Sequence, residues 1–153
     1  MFSLKNKKAI ITGVRIGIGK AIAILFAQQG AEVHIIELND ENAKAVVDVI
    51  TAFNGEAYTH SCNVANQQEV IKTFEEIGAH NILVNNAGIA HIGKADTTSE
   101  EDFDRVINVN VKGVYNCIYE CVPLMRKLNG GVILNMASIA AWVGLPDRFA
   151  YST

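Results

Sequence analysis

At 153 residues, half of them hydrophobic and only two of them proline, the chain is long enough to bury a core and carries no compositional bias toward disorder. A formal charge of −3 leaves no basic surface, which argues against nucleic acid or an anionic membrane as a partner. Three cysteines with no CxxC pair and four histidines without ligand spacing argue against a disulfide scaffold and a metal site, so Cys62, Cys117 and Cys121 read as small core residues.

The first element is a strand-like run, Ala9-Ile10-Ile11-Thr12, that meets glycines at 13, 17 and 19 and then an apolar stripe at helical spacing, Ile18, Ile22, Leu25 and Phe26. Gly13 can leave the strand at dihedrals closed to other residues, Gly17 removes a side chain that would block a ligand, and Gly19 lets the helix sit close on the strand. The helix start offers free N–H groups to a phosphate. A glycine-rich helix entry without a ligand stays open as an alternative. A nucleoside-triphosphate P-loop does not fit, because Ala21 follows Gly19-Lys20 and Val14 stands where its first glycine is required.

A second strand over residues 32–37 ends on Glu37, 18 residues past Gly19, near the offset at which an acidic side chain takes the adenosine ribose hydroxyls. A solvated strand end is the alternative. Next come a helix over about 40–53 ended by Gly55, a strand over 57–61, a helix over 67–77 and a strand over 82–85 that runs into Asn86-Ala87-Gly88. One long helix is expected from a cap at Ser99, with Asp102 in capping-box position, to about Leu128. Its buried stripe is Phe103, Ile107, Asn110, Val114 and Cys117. Val109, Val111, Tyr115, Tyr119 and Val122 add a second apolar face, leaving a polar strip through Lys112, Asn116 and Glu120. A fifth strand, 132–136, leads to Ser138, and residues 148–153 open another helix.

Strands separated by helices of this length predict a doubly wound parallel sheet of the α/β class, with the ligand beyond the carboxyl ends of the strands. Glu37, Asn63, Asn86 to Gly88 and Ser138 all fall there, so four loops are expected to converge on one crevice. No second domain, repeat or linker is visible. The longest apolar run, 21–27, is far short of a membrane span, and a cytoplasmic location is expected.

The chain resembles the short-chain dehydrogenase/reductase family, in the group with a Thr-Gly-x-x-x-Gly-x-Gly turn, here Thr12-Gly13 to Gly17-Ile18-Gly19. The other motifs that carry the resemblance are Asn85-Asn86-Ala87-Gly88, Asn108-Val109-Asn110, and Ser138 thirteen residues before Tyr151. It covers the whole chain as a single NAD(P)-binding Rossmann domain, 1–153. The resemblance implies an oxidoreductase that moves a hydride between a nicotinamide cofactor and a secondary alcohol or ketone. In it Tyr151 is the general acid or base, Ser138 orients the substrate oxygen, and Asn110 holds a water in the proton relay. A buried Asn tying helix to strand is the alternative for Asn110. The cofactor site implied is Gly13, Arg15, Ile16, Gly17, Ile18, Gly19, Glu37, Leu38, Asn63, Val64, Asn86, Ala87 and Gly88, with no metal.

Asn63 departs from the aspartate common in the family, although its amide oxygen can accept from the same adenine amino group. Glu37 favours NAD over NADP; Arg15, one position before the basic residue usual in NADP-preferring turns, speaks the other way. The family's Tyr-x-x-x-Lys motif is incomplete at Thr153, which leads us to expect the N-terminal part of a longer polypeptide, inactive by itself. The alternatives are an NADPH-dependent 3-oxoacyl-thioester reductase and a truncated, non-catalytic nucleotide-binding protein; an epimerase fits the glycine spacing poorly. A homodimer or homotetramer through the 99–128 helix is expected. His91, Lys94, Trp142, Asp147 and Arg148 are candidates for the mouth of a pocket for a sugar, sugar acid or polyol.

Overall fold

The computed structural model describes residues 2–153. Continuous apolar runs suit strands buried on both faces, and such runs form the centre of the sheet: β1 (Lys8–Thr12), β2 (Glu32–Glu37) and β4 (Ile82–Asn85). β3 (Glu56–Ser61) and β5 (Val132–Asn135) lie at the edges. All pairings are parallel, in the order β3-β2-β1-β4-β5. The Rossmann-type α/β architecture expected from the alternating pattern is therefore present.

Side chains alternate across each strand and feed two cores. Ala9, Ile11, Val33, Ile35 and Val84 meet Ala23 and Ala27 of α1 (Ile18–Gln28) and Ala43, Val46 and Ile50 of α2 (Asp40–Thr51). On the other face Ile10, Ile36 and Leu83 meet Val70, Phe74 and Ile77 of α3 (Gln67–Ile77) and Cys117, Cys121 and Met125 of α5 (Gly113–Lys127). The three cysteines are buried and unpaired. Burial pushes the thiols of Cys117 and Cys121 up to about 12, so they behave as apolar groups.

Two expectations need correction. α2 stops at Thr51, and the left-handed residue that turns the chain is Asn54 at φ 60, not Gly55. Gly55 is needed for space instead, since a Cβ there would stand 2.7 Å from the side chains of Ile50 and Phe53. The long helix is also not uniform. α4 (Glu100–Ile107) passes through a π-helical turn at Asn108–Lys112 before α5. A π turn accommodates an extra residue and so rotates everything after it by roughly 100° relative to a straight helix. The buried set becomes Val106, Gly113, Asn116, Cys117, Cys121 and Met125, while Phe103, Ile107, Asn110 and Val114 are half-buried. Asn116, expected on the outer polar strip, is fully buried and donates to the Val64 carbonyl at 2.8 Å. Val111, Tyr115 and Tyr119 keep an exposed apolar face.

The histidines occupy positions that spacing along the chain cannot show. His34 and His60, on neighbouring strands, meet ring to ring, Nδ1 to Nε2 at 2.9 Å, and His34 Nε2 lies 2.7 Å from Glu32 Oε1. The carboxylate assigns the proton to His34 Nε2, so His60 Nε2–H donates to His34 Nδ1. His80 donates from Nδ1 to the Gly78 carbonyl and accepts from the Cys121 thiol. Burial holds all three imidazoles below their ordinary value of 6.5, and the charged groups that act on them are Lys8, Glu32, Glu56 and Glu76. A folded state that prefers neutral imidazole binds fewer protons than the unfolded chain, so stability is lost as pH falls below about 6.5. The urea midpoint should drop between pH 7.5 and 5.5, and His34→Gln should reduce that drop; equal midpoints in the wild type would contradict this.

Candidate functional site

β1 ends in a turn whose geometry follows from its glycines. Gly13 and Gly17 both have φ 71, the left-handed region that other residues enter at a cost. A Cβ on Gly13 would stand 2.5 Å from the Ala87 Cα, and one on Gly19 would collide with the Gly13 carbonyl and the Asn86 amide. Around Gly17 the corresponding space is open to 4 Å. α1 then starts with no side-chain cap and no acidic residue in its first turn, whereas α2, α3 and α4 are capped by Asn39, Asn66 and Ser99. Its first N–H groups can therefore receive an anion.

The turn is clamped from two sides. Thr12 Oγ1 accepts from the N–H groups of Asn86 at 3.0 Å and Ala87 at 2.9 Å, and Asn86 Nδ2 donates to the carbonyls of Thr12 and Gly13. Glu37 Oε2 accepts from the N–H groups of Val14 at 3.0 Å and Arg15 at 3.2 Å, while its Oε1 accepts from Leu38 at 3.1 Å. The Asn86 amide is thus committed to holding the turn. The Glu37 carboxylate is fixed over it, with acceptor capacity left on Oε1.

A cavity of about 640 Å³ lies over these groups. It is lined by Gly13, Arg15, Ile16, Ile18, Glu37, Leu38, Asn63, Val64, Asn86, Ala87 and Gly88. Gly17 and Gly19 are not among the residues that line it. Asn63 turns its Oδ1 back onto the N–H of Ala65 at 3.0 Å, so that oxygen is partly spent within its own loop.

Ser138 does not share that crevice. It lines an adjoining cavity of about 410 Å³ together with Asn85, Asn110, Val114, Met136 and Tyr151. Ile18, Asn86, Ala87, Gly88 and Ile89 line both spaces, so the two meet along one wall. Tyr151 lies in α6 (Phe149–Ser152), and no group among the described residues bonds its hydroxyl. Ser138 Oγ accepts from Ala140 N–H at 3.2 Å, which leaves its own proton available to a substrate oxygen. Asn110, in the π turn, makes a two-point bond with Ile89, accepting from its N–H and donating to its carbonyl, both at 2.9 Å. That geometry matches the tie of helix to strand loop.

None of the five residues expected at a pocket mouth lines either cavity. His91 leans on Asp102, 3.6 Å away, and Trp142 is 88 % exposed. Gly93 and Arg148 form a bridge that joins the loop after β4 to the start of α6. Among the described residues no group of three or more His, Cys, Asp or Glu could hold a metal, and no helix is long and apolar enough to cross a membrane.

The family model for short chain dehydrogenases matches residues 7–153. The chain belongs to the short-chain dehydrogenases. An uncharacterized oxidoreductase of Thermotoga maritima is 43 % identical over 152 residues, covering 98 % of this chain and 61 % of its own length. The 3-oxoacyl-[acyl-carrier-protein] reductase FabG of the same organism is 37 % identical, covering 97 % and 62 % respectively. The solved structure of a 7α-hydroxysteroid dehydrogenase complexed with NADH and 7-oxo glycochenodeoxycholic acid superposes with TM-score 0.91 at 36 % identity, over 98 % of this chain and 60 % of that one. This short-chain dehydrogenase sequence thus spans about three-fifths of the length of these relatives.

Proposed function

We propose that this chain carries the nucleotide-binding and proton-transfer parts of an NAD-dependent oxidoreductase acting on a secondary alcohol or the corresponding ketone. The observation that supports it is the shared wall of Ile18 and residues 86–89, which puts a ligand bound over the glycine turn next to Ser138 and Tyr151. The residues present fit a dinucleotide. The open space at Gly17 and the uncapped start of α1 can take a pyrophosphate, and Ile16, Ile18, Leu38 and Val64 supply apolar walls for flat rings.

When bound, the nicotinamide supplies or accepts the hydride. Tyr151 holds the accompanying proton on its phenol oxygen, giving it to the carbonyl oxygen during reduction and taking it from the alcohol during oxidation. Ser138 donates to the same substrate oxygen and fixes where it sits. Asn110 acts on the loop, holding Ile89 in place at the wall between the two cavities.

Glu37 sets the cofactor. Its carboxylate is held over the turn by three backbone N–H groups, where it would repel a 2′-phosphate and accept from ribose hydroxyls. Titrating NAD and NADP against the protein should show NAD bound more tightly, and Glu37→Ser should narrow the gap tenfold or more, roughly the free energy of one charge-assisted contact. The FabG relative favours a second reading, reduction of a 3-oxoacyl thioester with NADPH, which requires the opposite preference. Tight NAD binding with no turnover of any secondary alcohol or ketone would sink the enzyme reading.

A further inference from the structure

The reading above requires Tyr151 to stand beside Ser138, and the chain that joins them cannot impose this. Residues 141–147, between the turn after Ser138 and the start of α6, are all exposed, and the four residues of α6 are too few to hold a helix by its own hydrogen bonds. The support comes from a different loop. Gly93 donates its N–H to the Asp147 carbonyl at 3.0 Å and accepts from the Phe149 N–H at 3.1 Å, so both of its backbone groups hold the entry to α6. Phe149 also packs its ring near that of Phe103 in α4, centroids 6.0 Å apart. Asp147 sits at φ 55, in the left-handed region, where the other non-glycine residues described are all asparagines. A residue in a costly conformation thus supplies one half of the bridge, and such strain persists only where the surroundings hold it.

We propose that the Gly93 bridge places Tyr151 against Ser138 and the cofactor crevice, which makes Gly93 and Asp147 positioning residues for proton transfer. The inference rests on the reading of Tyr151 as the group that holds the proton. Gly93 closes a segment whose first part, residues 86–89, is the wall shared by the two cavities. Ile89 is fixed there by Asn110, and His91 stands 3.6 Å from Asp102 at the start of α4. One short segment therefore carries the wall of the crevice at one end and the tie to the tyrosine helix at the other. A proton moves only between atoms within hydrogen-bond reach, so an error of about 1 Å in α6 is enough to slow the transfer by up to about 10²-fold. Glycine suits the joint, because a Cβ on Gly93 would stand 2.7 Å from His91 Nε2 and from Thr98 Oγ1.

The test joins single-turnover kinetics to amide hydrogen exchange in the full protein. Asp147→Val, whose branched side chain disfavours a positive φ, should slow reduction of the nicotinamide by an alcohol roughly tenfold or more. It should weaken NAD far less, since residue 147 does not line the cofactor crevice. Asp147→Asn keeps a side chain that tolerates the left-handed region and should recover most of the rate. In the wild type the amides of Gly93 and Phe149 should exchange through one opening shared with the Tyr151 N–H, which bonds the Arg148 carbonyl, and the valine variant should speed all three together. The wild-type exchange also serves if the valine variant does not fold. A valine variant that keeps the wild-type rate would overturn the proposal, since a purely structural bridge predicts lost stability alone. So would a Tyr151 amide that exchanges independently of Gly93, or an asparagine variant as slow as the valine one, which would assign the effect to the carboxylate. Wild-type protein that shows the shared opening but turns over no alcohol or ketone would overturn the reading of Tyr151, and this role with it.

Discussion

Tyr151→Phe is expected to lower kcat for alcohol oxidation by about 10²–10⁴-fold, the usual contribution of a positioned general acid or base, and to leave the Kd for NAD unchanged. The substitution is clean for a structural reason. The ring stays, so α6 keeps its packing beside the buried Ala150, and the hydroxyl that is lost bonds no other described residue. Ser138→Ala is less clean, because the N–H of Ala140 also loses its acceptor and the turn after β5 loosens. Stopped-flow absorbance of the reduced nicotinamide would measure the rate, and titration calorimetry the affinity. A wild-type rate in Tyr151→Phe would place the proton on another group.

The parts of this molecule that repeat along the chain were readable from it. Short, mostly apolar strands of four to six residues between helical stripes specified the parallel sheet, because a strand buried on both faces does not alternate apolar with polar. The glycine turn and the residues around its crevice were readable for a similar reason: each loop follows directly from a strand end. What depended on pairing across the sheet was not readable. His34 and His60 are 26 residues apart, and Asn85 and Asn135 are 50 apart; each pair becomes visible only through the register. The π turn also escaped, since its sequence, Asn108 to Lys112, offers no glycine or proline to mark it. One inserted residue was enough to bury Asn116 and move Asn110 to the half-buried face, where it takes both backbone groups of Ile89.

The glycines allow stability and ligand binding to be separated in one turn. Gly19→Ala is expected to cost about 3 kcal/mol, because the new methyl meets the Gly13 carbonyl and an Asn86 amide already committed to that carbonyl. For a domain of this size that is a fall in Tm of roughly 6–12 °C. Gly17→Ala should behave differently. Its φ of 71 with ψ −134 lies outside the left-handed helical well and costs about 1–3 kcal/mol for any other residue, yet nothing lies within 4 Å of the added methyl. The turn meets the first N–H groups of α1 here, so a methyl is expected to crowd a bound phosphate and lower NAD affinity more than tenfold, while the loss of Tm is set by the backbone strain alone. Calorimetry on both variants with and without NAD would compare the two losses. If Gly17→Ala bound NAD as tightly as wild type, the phosphates could not lie over this turn. If Gly19→Ala were as stable as wild type, the clamp formed by Thr12, Gly13 and Asn86 would have to be loose enough to yield, and the wall between the two cavities would lose its fixed support.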